Sequence, residues 1–184
     1  MESKALDTIQ TVAKIGKVLS SIEYVFCLTG GILCIVGIAC VGIPGSVRIG
    51  GVTIHSMIDN LQGLSLEACC MGMAMGLIVC TATCVVAKMA EQYFKNELAA
   101  GTPFTAEGAC ELLRLGICTI CIPLGAIVIA ETCNAIACHY LANVAEIQID
   151  GGAPVVLGVA FIIMSLVCKY GAELKNGTTT ITAS

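Results

Sequence analysis

The stretch ACCMGMAMGLIVCTATCVVA, Ala68 to Ala87, runs for 20 residues without a charge. A bilayer core of ~30 Å is crossed by about 20 helical residues at ~1.5 Å each, so this stretch reads as a membrane span. In hydrocarbon the backbone must satisfy its own hydrogen bonds, so the span is a helix. Glu67 and Lys88 bound it.

Working outward, the same test finds three more spans. Tyr24 to Val47 carries no charge, Leu115 to Ala145 carries only Glu131, and Gly151 to Cys168 carries none. The expected spans are residues 22–43, 66–87, 115–138 and 153–168. Tyr24, Tyr140 and Tyr170 fall near span ends, where amphipathic rings suit the interface. The first run lacks a signal-cleavage site and is read as a retained span.

Composition agrees with this. Of 184 residues, 57% are hydrophobic and 12% charged, and the mean hydropathy is +0.93. A chain this short cannot hide so much apolar surface in water. It is also too apolar to be disordered. The net charge of −4 offers no basic surplus for nucleic acid, so no direct nucleic-acid binding is expected.

Lys and Arg orient the spans. Lys4, Lys14, Lys17, Lys88, Lys95, Arg114, Lys169 and Lys175 fall on one side, and Arg48 alone on the other. The positive-inside rule places both termini and the middle loop in the cytoplasm of a cell (plasma) membrane protein. The expected fold is all-α, a four-helix transmembrane bundle in a single membrane domain.

The parts outside the bilayer have patterns of their own. Residues 1–21 form an arm with Leu6, Ile9, Val12, Ala13, Gly16 and Leu19 on one side. It reads either as an amphipathic helix lying on the membrane or as an extension of the first span. Residues 46–55 alternate around Gly50-Gly51, a hairpin signal. Residues 146–150 alternate as well, so a small external β-cap is expected, with Arg48 near Glu146 or Asp150. Residues 88–114 form a cytoplasmic helical hairpin between spans two and three. Glu91 and Lys95 stand at i, i+4. Gly101 and Pro103 break the helix, and Thr105 caps the next one with Glu107 in its first turn. Residues 171–184 are a cytoplasmic tail. Glu23 is expected to pair with Lys88.

The segment Tyr93-Phe94, Gly101-Thr102-Pro103-Phe104-Thr105, Leu112-Leu113-Arg114-Leu115-Gly116, together with Gly171-Ala172-Glu173-Leu174, resembles a bacterial family of four-span membrane proteins. This is domain-of-unknown-function family 2975. The resemblance implies an integral membrane protein with no enzyme activity. The tail departs from the family pattern, with Asn176-Gly177-Thr178 where acidic residues are usual.

Several residue groups bear on function. Phe94, Gly101, Pro103, Phe104 and Thr105 are the candidate partner-binding residues of the hairpin. Ala68, Gly72, Gly76, Cys80 and Cys84 recur every four residues as a helix-packing face, since small residues let backbones approach in lipid. Gly30, Cys34 and Gly37 give the first span a matching face. Homo-oligomerisation is a second use of such faces. Glu131, Asn134 and His139 are a candidate polar membrane site, because a charge inside a span is costly unless it has a task or a partner. Cys40, Cys69, Cys70, Cys133 and Cys138 lie at similar depth, without zinc-site spacing. Cys118 and Cys121 form a C-x-x-C inside a span, where a thiol is inert. Pro123 is expected to kink its helix.

No phosphate loop, nucleophile elbow or metalloprotease motif is present. The expectation is a non-enzymatic regulatory, sensory or assembly-partner protein acting through its hairpin. It needs no cofactor or metal, and its partners are the lipid bilayer and a cytoplasmic or membrane protein. The alternatives are a small oligomeric carrier using Glu131, or a membrane thiol or metal-binding protein.

Overall fold

A computed structural model describes residues 2–41, 48–49, 52–53, 66–101, 105–140 and 152–182. It holds four long helices: α1 (Glu2–Val41), α2 (Leu66–Ala100), α3 (Ala106–Tyr140) and α4 (Gly152–Thr182). All four are long and apolar enough to cross a membrane. They contain 40, 35, 35 and 31 residues. At ~1.5 Å per residue each exceeds the ~30 Å hydrocarbon core, so every helix carries turns beyond it.

Each helix packs antiparallel to the one before it. Gly16 meets Phe94, Gly30 meets Cys80 and Gly37 meets Met73, which fixes the α1–α2 register. Asn96 beside Glu111 sets α2 against α3. Gly116 against Gly158 sets α3 against α4.

The hydroxyls inside the spans are satisfied locally. Thr29 donates to the Val25 carbonyl at 2.8 Å, and Thr119 to that of Leu115 at 2.8 Å. Thr81, Thr83 and Thr132 do the same one turn back. Such back-bonding lets a polar side chain sit in an apolar helix without a lost hydrogen bond.

Large apolar side chains mostly face outward, as lipid-exposed helices require. Phe26 is 74% exposed, and Val128 and Leu166 lie nearly as open. The packed core sits instead at the base of the 88–114 hairpin. There Tyr93, Ala109, Leu112, Leu115 and Cys168 are buried together, with Met89, Phe94 and Phe161 around them.

Several expectations are corrected. Lys88 pairs with Glu91 at 2.7 Å, not with Glu23. The two share one face of α2 at i, i+3, so the bond needs no second helix. The Lys88 ammonium also stands 5.1 Å from the centre of the Tyr24 ring. Of the two readings of the arm, the extension of the first span is the one that holds for residues 2–21. It continues α1 without a break, and Ala13 and Ser20 are buried. Pro123, where a kink is expected, lies inside α3.

Among the described residues, β structure amounts to β1 (Arg48–Ile49) and β2 (Val52–Thr53), paired antiparallel with Ile49 opposite Val52. The third segment of the expected β-cap, 146–150, lies outside the described residues, as do Gly50-Gly51, Pro103 and Phe104.

Candidate functional site

The hairpin turn is built from its caps. Gly101 adopts φ +71°, the left-handed region where a Cβ would be strained. Its N–H donates to the Glu97 carbonyl at 3.1 Å, which closes α2. Across the turn, the Thr105 hydroxyl accepts from the Gly108 N–H at 3.0 Å, and the Thr105 carbonyl from the Ala109 N–H. Thr105 is thus the N-cap of α3, with Glu107 in the first turn beside the positive end of the helix dipole.

The hairpin does not stand free. Phe94 lies over Gly16 of α1, where a Cβ would come within 2.6 Å of the ring. Gln10 of α1 donates a long 3.5 Å bond to the Gly101 carbonyl. Phe94 and Gly101 are therefore engaged within the chain. Their faces brace the hairpin, and a partner would have to meet other surfaces.

Two concavities flank the hairpin. A pocket of about 210 Å³ lies between its two arms, lined by Asn96, Glu97, Thr105, Glu107 and Glu111 among others. Asn96 donates to both Glu111 carboxylate oxygens at 3.0 Å. A groove of about 390 Å³ opens on the other side, between the Thr8–Ala13 stretch of α1 and the Phe161–Cys168 stretch of α4. Glu97 and Tyr93 line both. Burial pushes the Glu97 carboxyl above the usual carboxylate range, opposed by a hydrogen bond from the Tyr93 hydroxyl. Burial, then the Glu97 charge, holds the Tyr93 hydroxyl protonated well above its ordinary range.

A third concavity of about 270 Å³ lies between the spans, lined from all four helices by residues including Glu23, Thr83, Thr119, Pro123 and Pro154. Glu23 was legible only as a charge at a span end. Its place in this cavity depends on α2, α3 and α4 converging beside it.

The packing face divides. A Cβ on Gly76 would lie 3.2 Å from Cys34 Sγ, and one on Gly30 3.3 Å from Cys80 Sγ. Cys84 lies 3.8 Å from the Tyr24 carbonyl. These three members of the α2 stripe meet α1. Ala68 is half-buried, and a Cβ on Gly72 would meet nothing within 4 Å. Among the described glycines, the close approach of two helix backbones escaped the spacing argument altogether. A Cβ on Gly116 would come within 2.9 Å of the Gly158 carbonyl oxygen, and one on Gly158 within 2.8 Å of that of Gly116. Two isolated glycines make this α3–α4 crossing, with no repeat to announce it.

The polar group near the C-terminal end of α3 does not gather into one cluster. Asn134 is 2% exposed, whereas Glu131 and His139 are exposed. Three residues along a helix turn a side chain by about 60° from its neighbour's line, enough to separate a packed face from an open one. His139 stacks edge-on to Tyr140 at 5.2 Å. The Asn134 Oδ1 is buried without a hydrogen-bond partner. Cys121 and Cys133 are exposed, while Cys118 is half-buried. No group of three or more His, Cys, Asp or Glu is arranged to hold a metal among the described residues.

Comparison with known protein families, curated proteins and solved structures finds no match to the chain.

Proposed function

We propose that this chain is a non-enzymatic multi-pass membrane protein that regulates, senses or joins an assembly through the hairpin at 88–114. The observation that carries the reading is the hairpin's construction. It is capped on both sides of its turn, braced by α1 and seated on a buried apolar cluster. It also holds a pocket with three carboxylates. A rigid scaffold that presents polar groups on a turn suits recognition. The eight-to-one charge split supports a plasma-membrane topology with the termini and hairpin in the cytoplasm. The resemblance to family 2975 supports the same reading, and the β-cap would close the opposite side.

Deleting the hairpin would remove the core beneath it, so substitution is the cleaner test. Lys95→Glu, Glu107→Lys and Glu111→Lys alter exposed side chains of the hairpin, and because Glu111→Lys also gives up the Asn96 hydrogen bond, the variant's melting temperature is compared with wild type first. Proteins captured with the full-length chain are compared between wild type and this triple variant. Loss of a specific partner is the expected result, and an unchanged set overturns the reading.

A second reading, a small ion-coupled carrier, is favoured by Glu23 in the cavity between the four helices. A carboxylate facing an intramembrane cavity is a natural cation site. Reconstituted flux lost in Glu23→Gln and retained in Glu131→Gln is what that reading expects. Flux absent from the wild type removes it.

A further inference from the structure

One flank of the α1–α2 seam gathers cations from both helices just beyond the spans. Lys88 follows the charge-free run that ends at Ala87; its ammonium bonds Glu91 and stands over the Tyr24 ring of α1. Gly16 against Phe94 sets Lys17 level with the 91–95 stretch of α2. Glu91 feels all three lysines. A hydrogen bond from Lys88, then the charges of Lys88, Lys95 and Lys17, hold its carboxyl below the ordinary range against the opposing effect of burial. Three ammonium groups around one carboxylate leave two positive charges uncompensated within the group. Lys88 and Lys95 are exposed and Lys17 is half-buried, with Lys14 exposed one turn before it. The carboxylates Glu97, Glu107 and Glu111 line the pocket on the α3 side of α2 instead. Below the cations the flank turns apolar. Leu28 stands four residues on from Tyr24, and Val85 three before Lys88, so each continues its neighbour's face into the span. Both are 45% exposed, open to a lipid chain. Tyr24 marks the boundary, as an amphipathic ring at an interface does.

We propose that this flank binds one anionic phospholipid of the hairpin-side leaflet, with the phosphate on Lys17, Lys88 and Lys95 and the chains along Tyr24, Leu28 and Val85. The juxtaposition decides the ligand: cations at headgroup depth directly above exposed apolar side chains match the two halves of one lipid molecule. An acidic protein segment would meet the lysines and leave the apolar flank unused. A zwitterionic headgroup brings its own ammonium beside the lysines, which cancels much of the attraction. The site goes beyond the hairpin-recognition reading and does not depend on it, because it lies on the α1 side of α2, away from the carboxylate pocket.

The test titrates the full-length protein, in a neutral detergent, with phosphatidylglycerol or phosphatidylcholine of identical chains and reads retained lipid by native mass spectrometry. One phosphatidylglycerol is expected to be retained at concentrations where phosphatidylcholine is not. The double variant Lys17→Gln/Lys95→Gln is expected to weaken that retention roughly tenfold, as removal of two cations beside an anionic headgroup does. Lys17→Arg/Lys95→Arg keeps both charges and is expected to keep the lipid. Arg114→Gln/Lys169→Gln removes the same charge from exposed positions on α3 and α4 and is expected to bind as wild type. Should the Lys17/Lys95 glutamine variant melt early, Lys95→Gln alone, at an exposed position, carries the comparison. Equal retention of the two lipids, unchanged retention in the Lys17/Lys95 glutamine variant, or an equal loss in the Arg114/Lys169 variant overturns the proposal. Glycerol phosphate, a headgroup without chains, is expected not to displace the lipid. Displacement would assign the lysines to a soluble phosphate compound and overturn the lipid site as well.

Discussion

Gly116 and Gly158 place two helix backbones in contact, so any added carbon there must part α3 from α4. Gly116→Ala is expected to cost about 1–3 kcal/mol, the range for overpacking a close-packed site. Gly72→Ala enters open space and is expected to leave stability unchanged or slightly raised, because alanine favours helix. Unfolding of both variants in the same detergent checks the contrast, and equal costs would contradict the assigned crossing. The difference could not be read from sequence. G-x-x-x-G spacing drew attention to Gly72, which needs no close approach, whereas Gly116 and Gly158 belong to different helices and have no shared period.

Glu97 makes a pH prediction at the same scale. Its carboxyl is raised by burial, with Tyr93 and Cys168 beside it and Glu111 across the hairpin. The folded chain then holds this proton more tightly than the unfolded chain does. Between the ordinary glutamate range and the raised value, stability increases as pH falls, and this contribution is lost as pH rises through the raised value. Glu97→Gln should flatten this component of the melting-temperature profile above the ordinary glutamate range. A profile identical to wild type would show that Glu97 is not the group responsible.

At the scale of elements, the helices were legible and their alliances were not. Charge-free runs marked the four spans because lipid tolerates few charges, and Thr105 was legible as a cap because a hydroxyl before a helix has one obvious use. The arm was ambiguous for a physical reason: an apolar stripe suits a membrane surface and a neighbouring helix equally. The structure gives the stripe to the hairpin, through Ala13, Gly16 and Phe94. Gly16→Trp is therefore expected to lift α1 from α2, raising amide exchange from Thr8 to Ser20 and around Gly101. Unaltered exchange would mean that the arm does not brace the hairpin. Thr105→Ala is expected to cost about 1 kcal/mol of stability, as a lost N-cap does, and to loosen the first turn of α3.

Taken whole, the molecule reverses the arrangement of a water-soluble domain. Its large apolar side chains face outward along the spans, small residues join the helices, and its bulky core lies at the hairpin end. The sequence disclosed the outward face through composition. It did not disclose the core, because Tyr93, Leu112 and Cys168 come from three helices separated by long stretches of chain. The account as a whole requires the hairpin to face the cytoplasm, and native Cys110 reports on this. It is an exposed thiol on the hairpin, near the start of α3. A membrane-impermeant maleimide is applied to sealed right-side-out and inside-out vesicles, and the labelled sites are read by mass spectrometry. The account predicts labelling of Cys110 in inside-out vesicles only. Labelling in intact right-side-out vesicles would contradict it.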